Sequence, residues 1–250
     1  FREGIGPDFG SDADALRVII NLAGAPINQR WTPNIKQELS IADNGNNRII
    51  RALNAVKTKP KLMISASAVG YYPSLVESDE YTQTRGDGFL SDLCYAWEKE
   101  AKRCPQPTRL VITRFGVVLS PDGEDATDAS PATRNKGAAV IGPGTQPFPW
   151  IDIRDLCRAM AFFIENEELR GVFNLVAPQA VSQSTFTRAM GKAYHAWTTL
   201  IVPQRSFVCS TVKPLFLTAG QSVRPTRFAG KPELPIFRFF HREDCLVVRQ

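Results

Sequence analysis

The hydrophobic residues of this chain are concentrated in short continuous runs. Four runs rich in Val, Ile and Leu occupy residues 18–22, 61–72, 109–119 and 171–176. A continuous apolar run of this length is typical of a β-strand that is covered on both faces. We therefore predict four buried strands at these positions.

Between these runs the hydrophobic residues recur at helical spacing. The spacing predicts helices over residues 44–56, 89–103, 156–166 and 184–194. Thr32-Pro33 provides an N-cap followed by a proline, which is typical of the start of one more helix. Strands that alternate with helices indicate a parallel sheet with crossover helices, so the sequence predicts the α/β class.

Two stretches lack a clear period. Residues 121–144 are rich in Gly, Pro, Asp and Ala, which predicts a loop or lid. Beyond residue 182 the last predicted helix is followed by a tail that contains Pro and Arg. We divide the chain into a domain of residues 1–180 and a small, basic, α-rich C-terminal domain of residues 181–250.

Composition and charge narrow the class of protein. The 250 residues are 43% hydrophobic and 22% charged, which is ordinary for a globular protein, and no run is long enough to span a bilayer. The formal charge is +5, and residues 201–250 account for it with eight Lys or Arg against three Asp or Glu. Such a segment can face nucleic acid or an acidic partner, or form solvated surface.

The cysteines and histidines bear on the compartment and on metal binding. Five cysteines are scattered without a C-x-x-C pair, which is typical of reduced thiols inside a cell. His195 and His241 are the only histidines, and zinc-ligand spacing is absent, so we expect no metal site. The first ten residues do not resemble a secretory signal, so we expect any targeting segment to lie outside the sequence.

The second predicted strand ends in residues that suit a ligand. Ser65 and Ser67 place hydroxyl groups there, and small residues between and after them let a flat ligand approach the backbone. Tyr71 and Tyr72 can wall that ligand. In open α/β sheets, ligands bind at the carboxyl ends of the strands. The alternative is a buried strand followed by a turn.

Several segments, in the right order, resemble one family. N-L-A-G at 21–24, S-A-S-A-V-G-Y-Y at 65–72, T-R-F-G-V-V-L at 113–119 and W-I-D-I-R-D-L at 150–156 are similar to the extended, epimerase-like branch of the short-chain dehydrogenase/reductases. The segments at 89–98 and 171–178 narrow the likeness to atypical NAD-dependent epimerase family proteins with a small C-terminal domain of unknown function. The segment L-T-A-G-Q-S-V-R-P at 217–225 resembles that domain.

The resemblance implies a Rossmann-like, doubly wound parallel sheet and an NAD or NADP cofactor. It implies that the position of Ser67 carries the hydroxyl that helps to hold the substrate oxygen. The cofactor-binding residues that it implies, together with the strand-end serine, are Ala23, Gly24, Ser65, Phe115 and Val117. The alternative for each is a small or apolar residue that packs a strand end.

The phosphate-binding turn of this fold is a Gly-rich loop between the first strand and the first helix. Its one candidate is Gly4-Ile5-Gly6 with Gly10, which follows no predicted strand and lies about eight residues before the strand at 18–22. A βαβ unit needs about 30 residues, so the helix that should hold the phosphate has no room. We expect the sequence to enter the fold after its first βαβ portion.

The proton-transfer residues of the family are also replaced. Hydride-transferring members use a Tyr and, one helical turn later, a Lys whose positive charge lowers the pKa of the Tyr. On the predicted helix 89–103 these positions are Leu90 and Cys94, and neither side chain can replace the pair.

Other side chains are candidates for the chemistry. Tyr71 or Tyr72 can act as the acid, and we retain Ser67 and Tyr71 as the catalytic candidates. Cys94 can act as a nucleophile, although nearby acidic side chains oppose formation of its thiolate.

Two aspartates lie at the start of the helix predicted over 156–166. Asp152 stands where the family has a His, so whatever that imidazole does is absent here. We expect Asp155 to cap the helix, because Asp is common at helix starts.

Two hypotheses from different classes follow. The replaced phosphate turn and proton-transfer pair favour a non-catalytic structural or assembly subunit of a larger, RNA-containing complex in the mitochondrion or another organelle. It would have protein partners, a basic C-terminal docking surface and no required cofactor. The alternative is an NAD- or NADP-dependent oxidoreductase or nucleotide-sugar epimerase.

Overall fold

The computed structural model describes residues 17–22, 32, 34, 44–120, 137–193, 198–202 and 220–228. In these ranges the chain forms ten strands and four α-helices. The strands are β1 (Val18–Asn21), β2 (Leu62–Ala68), β3 (Glu77–Ser78), β4 (Arg109–Phe115), β5 (Val117–Leu119), β6 (Gly137–Ile141), β7 (Trp150–Asp152), β8 (Gly171–Leu175), β9 (Thr198–Val202) and β10 (Ser222–Val223). The helices are α1 (Asn44–Ala55), α2 (Phe89–Ala101), α3 (Ile153–Glu165) and α4 (Gln183–Ala193).

The central sheet has the strand order β1-β2-β4-β8, and every neighbouring pair is parallel. The predictions of a parallel α/β sheet and of four strands in it are confirmed. The register places Ser67 of β2 beside Arg114 of β4, and Arg114 beside Asn174 of β8. Because side chains paired in this way share one face of a sheet, three polar residues form a row across three strands.

One face of the sheet packs against α3. This helix buries Leu156, Ala159, Met160 and Phe163, which recur at the spacing of one helical face. Phe163 lies against Phe173 of the sheet, with ring centroids 4.8 Å apart. The helix is therefore fixed to the sheet by hydrophobic burial along its whole length.

The opposite face of the sheet carries α1 and α2. Ile50 and Leu53 of α1 pack with Met63 of β2 in a separate hydrophobic cluster. Helix α2 buries Leu93 and Ala101, as its apolar period predicts, but its buried residues also include Ser91, Cys94 and Glu98. A buried carboxylate on this helix face is the first sign of a specialised site.

The run 109–119, predicted as one strand, divides at Gly116 into β4 and β5. Strand β5 leaves the central sheet and pairs with β7. A Cβ atom on Gly116 would lie 2.7 Å from the carbonyl oxygen of Pro149, so only glycine lets the two backbones approach this closely. The sequence pattern does not predict this bend, because apolar residues lie on both sides of Gly116.

The predicted loop 121–144 is wrong at residues 137–141, whereas residues 142–144 form a turn in agreement with it. Residues Gly137–Ile141 form β6, which pairs in parallel with β9 and buries Ala139, Val140 and Ile141. The short apolar run was hidden in a region rich in Gly, Pro and Asp. Residues 121–136 lie outside the described residues, as do the glycines at 4, 6 and 10 and the helix predicted after Thr32 apart from residue 34.

Helix α3 begins earlier than predicted, and its cap is Asp152, not Asp155. The Asp152 backbone is extended, and its side chain accepts a hydrogen bond from the backbone N–H of Arg154 at 2.8 Å. Asp155 lies in the first turn, where its carboxylate pairs with Arg158. By residue type, either of the two aspartates near the helix start can be the N-cap. Only the backbone geometry decides between them.

The described residues beyond 180 pack against the earlier part of the chain. Strand β10 pairs with β3, and Phe228 is buried against Phe163 and Phe173. Besides α4, the described residues of this region form strands β9 and β10, and the division at residue 180 stays a prediction. Among the described helices, none combines the length and the apolar character needed to cross a bilayer.

Candidate functional site

The candidate site is built on the polar row at the carboxyl end of the sheet. Ser67, Arg114 and Asn174 occupy equivalent positions on β2, β4 and β8, and all three are buried. A charged residue is rarely buried unless it is paired. The row therefore requires a counter-charge from another element.

Glu98 of α2 supplies that counter-charge. Its Oε1 accepts from Arg114 Nε at 2.6 Å, and its Oε2 accepts from Arg114 Nη2 at 2.8 Å. Burial lowers the pKa of the Arg114 guanidinium, but the hydrogen bonds and the negative charge of Glu98 outweigh burial and raise that pKa above its usual value. Arg114 therefore carries a permanent positive charge inside the protein.

Glu98 also orients Ser67. The Ser67 hydroxyl donates to Glu98 Oε1 at 3.0 Å, the same oxygen that accepts from Arg114 Nε. Because the hydroxyl hydrogen points to the carboxylate, Ser67 offers a ligand its oxygen as an acceptor. The resemblance had implied a hydroxyl that holds a substrate oxygen, and this polarity suits a substrate oxygen that carries a hydrogen.

Tyr71 and Tyr72 cover the Arg114 guanidinium. The Arg114 Cζ atom lies 3.5 Å from the centroid of the Tyr71 ring and 4.7 Å from that of Tyr72. Tyr72 is buried, its hydroxyl donates to Asn174 Oδ1 at 2.9 Å, and burial raises its pKa. Tyr71 is half-buried, and its hydroxyl has no hydrogen-bond partner among the described residues.

Tyr71 is held from its backbone as well as from its ring. Its carbonyl oxygen accepts from the Ser91 hydroxyl at 3.0 Å and from the Gly86 N–H at 2.8 Å. These contacts fix the turn after β2 to the start of α2. Of the two tyrosines named as candidate acids, Tyr71 has a hydroxyl without a hydrogen-bond partner among the described residues. The Tyr72 hydroxyl is already bound to Asn174.

Leu90 and Cys94 lie beside the end of β2. A Cβ atom on Gly70 would be 3.6 Å from Leu90 Cβ and 3.8 Å from Cys94 Sγ. Burial, followed by the negative charge of Glu98, raises the pKa of the Cys94 thiol to about 12. At neutral pH this thiol is protonated, so it is not an activated nucleophile.

Ser65 belongs to a separate buried polar cluster. Its hydroxyl donates to Asn46 Oδ1 at 3.4 Å, and Asn21 Nδ2 donates to the same oxygen at 2.5 Å. Asn46 Nδ2 in turn donates to the Trp97 carbonyl, which links β1, β2, α1 and α2. Ser65 therefore joins elements together, while Ala23 and Gly24 lie outside the described residues.

The ends of β2 and β4 carry small or half-buried residues that are candidates for contact with a flat ligand. Ala66, Ala68 and Gly70 are half-buried at the end of β2, and Phe115 is paired with Ala68 on the neighbouring strand. Phe115 and Val117 are half-buried on either side of Gly116. Small side chains and accessible backbone at strand ends suit a flat ring such as nicotinamide.

Sequence reasoning missed Glu98, Arg114 and Asn174 as parts of the site. The signal was present, because Arg114 interrupts the apolar run R-L-V-I-T-R-F and Glu98 lies on the packed face of a predicted helix. In the part of the chain that the structure describes, no group of three or more His, Cys, Asp or Glu side chains is arranged to hold a metal ion.

The sequence matches known proteins over most of its length. The model of the NAD dependent epimerase/dehydratase family matches residues 8–175. An epimerase family protein of Staphylococcus aureus is 39% identical over 190 residues, which are 73% of this chain and 63% of that protein. One from Staphylococcus haemolyticus is 36% identical over 189 residues, with 74% and 63% covered. The chain thus spans about 63% of the length of these relatives.

Solved structures show the same fold. The crystal structure of human epimerase family protein SDR39U1 with NADPH has a TM-score of 0.78 and 28% identity, covering 88% of this chain and 79% of that one. A nucleoside-diphosphate sugar epimerase from Corynebacterium glutamicum has a TM-score of 0.69 and 23% identity, with 94% and 46% covered, and shows the fold alone. The predicted resemblance to NAD-dependent epimerase family proteins and the Rossmann-like fold are confirmed, while the small C-terminal domain stays a prediction. The chain therefore belongs to the NAD dependent epimerase/dehydratase family.

Proposed function

We propose that this protein binds NAD or NADP and acts as an oxidoreductase or epimerase on a small carbonyl compound or a nucleotide sugar. The family match and the human relative solved with NADPH support the second of the two hypotheses from the sequence. The first, a non-catalytic assembly subunit, gains no support from these matches. The observation that carries the proposal is the Tyr71 hydroxyl, left available at a strand end beside a fixed positive charge.

The cofactor would lie over the small residues at the carboxyl edge of the sheet. Ala68, Gly70 and the backbone around Gly116 would contact its nicotinamide end. When bound, a nicotinamide dinucleotide donates or accepts a hydride. The family resemblance extends this contact to Ala23 and Gly24.

The chain's own residues would handle the proton and orient the substrate. The Tyr71 hydroxyl gives a proton to, or takes one from, the reacting substrate oxygen. Arg114 supplies a permanent positive charge 3.5 Å from the Tyr71 ring centroid, a charge that the family places on a Lys. Ser67, whose own hydrogen is directed to Glu98, accepts a hydrogen bond from the substrate in its alcohol form.

A titration with NADPH followed by turnover measurements tests this proposal. We expect micromolar binding by calorimetry, and either oxidation of NADPH with at least one carbonyl compound or epimerisation of at least one nucleotide sugar in a panel of both. Tyr71→Phe should lower kcat by about 100-fold or more and leave NADPH affinity unchanged, since it removes the proton donor. Absence of NADPH binding, or an unchanged kcat in Tyr71→Phe, would refute it.

Tyr95→Phe is the matched control for Tyr71→Phe. Tyr95 also lies under an arginine, Arg85, with Cζ 5.0 Å from its ring centroid, but it is exposed on the outer side of α2. Its substitution should leave both binding and kcat unchanged. An equal loss in both variants would mean that the effect of Tyr71→Phe is not specific to the site.

A second candidate function is dinucleotide binding without turnover. Leu90 and a protonated Cys94 occupy the positions of the Tyr and Lys that transfer protons in the family, and this favours a sensor. NADPH binding without NADPH oxidation and without epimerisation of any compound of the panel would support this second candidate. The two candidates share the cofactor and differ only in chemistry.

A docking role for the basic C-terminal segment, with nucleic acid or protein partners in an organelle, stays a prediction. Two of the arginines it would use are engaged within the fold. Arg224 Nη2 lies 2.7 Å from Glu77 Oε2, and Arg227 Nη1 donates to the carbonyls of Arg170 and Val172. Neutralising Lys231 and Arg238 tests docking without breaking the contacts of Arg224 and Arg227.

A further inference from the structure

We propose that Arg114 is the positioning residue of this site. Anchored by Glu98, it fixes the ring of Tyr71, and the same carboxylate fixes the Ser67 hydroxyl. This inference rests on the proposed function for its catalytic consequence. Its geometric part is that a change at Glu98 alters the position of the Tyr71 ring through Arg114. This part does not depend on whether the protein turns over a substrate.

The Arg114 side chain is fixed in one position by Glu98. Both oxygens of Glu98 are bound to it in a bidentate arrangement, and the two side chains are 4% and 2% exposed. Bidentate pairing fixes the plane of a guanidinium as well as its position. Its Cζ atom lies 3.5 Å from the Tyr71 ring centroid, a distance at which the ring rests on this fixed plane.

The Tyr71 ring also packs against a hydrophobic cluster of Val69, Tyr72, Val176 and Val223, and Arg114 adds a charged, fixed contact to that packing. The Tyr71 backbone is tied to Ser91 and Gly86, but these bonds leave the side-chain torsions free. Tyr72 meets the Tyr71 ring edge-on, with centroids 5.6 Å apart, and is itself covered by Arg114. The guanidinium therefore acts together with this hydrophobic packing to place the Tyr71 hydroxyl.

Ser67 shares the Glu98 anchor. Glu98 Oε1 accepts from both Ser67 Oγ and Arg114 Nε, so one carboxylate oxygen sets the orientation of two groups. Ser67 and Arg114 are also direct neighbours across β2 and β4. A change at Glu98 must therefore reach Ser67 directly and Tyr71 through Arg114.

The surface of the same helix offers a matched control. A second set of an acid, an arginine and a tyrosine is formed by Asp92, Arg85 and Tyr95. Arg85 Nη1 lies 2.8 Å from Asp92 Oδ1, and Arg85 Cζ lies 5.0 Å from the Tyr95 ring centroid. Both charged side chains are about half exposed. A single exposed contact does not hold its groups in one geometry. A change at Asp92 should therefore have little effect on the position of the Tyr95 ring.

The geometric test is NMR of the protein with ring-labelled tyrosine, in which five tyrosines give a simple spectrum. The Tyr71 signal is assigned with Tyr71→Phe. Glu98→Gln should shift the Tyr71 signal through Arg114, while Asp92→Asn should leave it unchanged. An unchanged Tyr71 signal in Glu98→Gln would overturn the proposal. If Glu98→Gln does not fold, Glu98→Asp, which keeps the charge and shortens its reach, replaces it.

The catalytic test uses Arg114→Lys, alone and with Tyr71→Phe. Lys keeps the charge and loses the flat bidentate group, so kcat should fall by about tenfold or more while NADPH affinity stays unchanged. In the Tyr71→Phe background the substitution should cause no further loss of kcat, because its effect passes through Tyr71. A full additional loss would overturn the positioning role.

The two tests separate this inference from the proposed function. If no compound is turned over but the Tyr71 signal moves in Glu98→Gln, the proposed function fails and the positioning of the ring stands. If turnover depends on Tyr71 but the signal does not move in Glu98→Gln, the proposed function stands and the positioning role of Arg114 fails.

Discussion

Glu98 and Arg114 form an ion pair buried between helix α2 and strand β4, with Nε–Oε1 and Nη2–Oε2 distances of 2.6 and 2.8 Å. Both charges are removed from water, so each is stable in the protein only while the other is present. The pair joins the sheet to α2 at the level of Ser67. Stability and site geometry therefore depend on the same contact.

Removing one partner of this pair should be strongly destabilising. Glu98→Ala leaves the Arg114 charge buried without a partner, and we expect a loss of about 3–5 kcal/mol in the free energy of unfolding. Asp92→Ala breaks the exposed pair with Arg85 and should cost less than about 1 kcal/mol. Urea unfolding of both variants provides the measurement. Losses of equal size would contradict the assignment of a buried, mutually dependent pair.

The sheet could be predicted because its cause is local. Each buried strand is a short run of Val, Ile and Leu, and alternation with helices implies parallel pairing whichever strands are neighbours. The ion pair could not be predicted in the same way. Glu98 and Arg114 are separated by a helix end and a turn, and their meeting depends on where α2 packs on the sheet. An arginine within an apolar run was the available signal.

Two predictions failed because backbone geometry is not visible in a residue pattern. Gly116 ends β4 although apolar residues follow it, since its position against Pro149 excludes a side chain. Asp152 caps α3 because its backbone is extended, although Asp155 has the same side chain and lies one turn nearer the predicted start. The close approach of two backbones decided the first case, and the extended dihedral angles of Asp152 decided the second.

The two adjacent tyrosines should differ sharply in their contribution to stability. Tyr72→Phe removes the donor to Asn174 Oδ1 and leaves a buried acceptor without that partner, so we expect a loss of about 1–3 kcal/mol in the free energy of unfolding. Tyr71→Phe removes a hydroxyl with no partner among the described residues and should change stability by less than about 0.5 kcal/mol. Thermal or urea unfolding distinguishes the two. A larger loss in Tyr71→Phe would reverse the roles assigned to them.

Cysteine reactivity should follow burial and pKa. Cys157 is exposed, whereas burial raises the pKa of Cys94 to about 12 and that of Cys104 to about 11. Brief treatment of the folded protein with iodoacetamide at neutral pH should alkylate Cys157 and spare the other two, as read by peptide mass spectrometry. Unfolding in urea before treatment should expose all three. Alkylation of Cys94 as fast as Cys157 would restore the nucleophile hypothesis.

Two glycines near the site should respond differently to a methyl group. Gly116→Ala brings a Cβ atom to 2.7 Å from the Pro149 carbonyl oxygen, a contact that only a backbone shift relieves. We expect a loss of about 1–3 kcal/mol. Gly70→Ala meets its nearest neighbours at 3.6 Å or more, which is ordinary contact, and should be tolerated. Equal losses in urea unfolding would show that close approach is not the reason for Gly116.

The cap of α3 gives a stability contribution that depends on pH. Arg154 lowers the pKa of Asp152, chiefly through its hydrogen bonds. Because the folded pKa lies below the unfolded value, the stabilisation by the carboxylate is present above the unfolded pKa, about 3.9, and is lost as the pH falls through the folded pKa. At neutral pH, Asp152→Ala should therefore cost about 1 kcal/mol.

The difference in unfolding free energy between wild type and Asp152→Ala should then shrink as the pH falls below about 4. Asp152→Asn keeps a cap acceptor without a titrating charge, so its stability at neutral pH should lie between those of wild type and Asp152→Ala. The difference in unfolding free energy between wild type and Asp152→Asn comes from the charge, so it should disappear in acid. Urea unfolding at neutral pH and at about pH 3 measures both effects. A gap between wild type and Asp152→Ala that stays constant over this range would mean that the Asp152 charge contributes nothing to the cap.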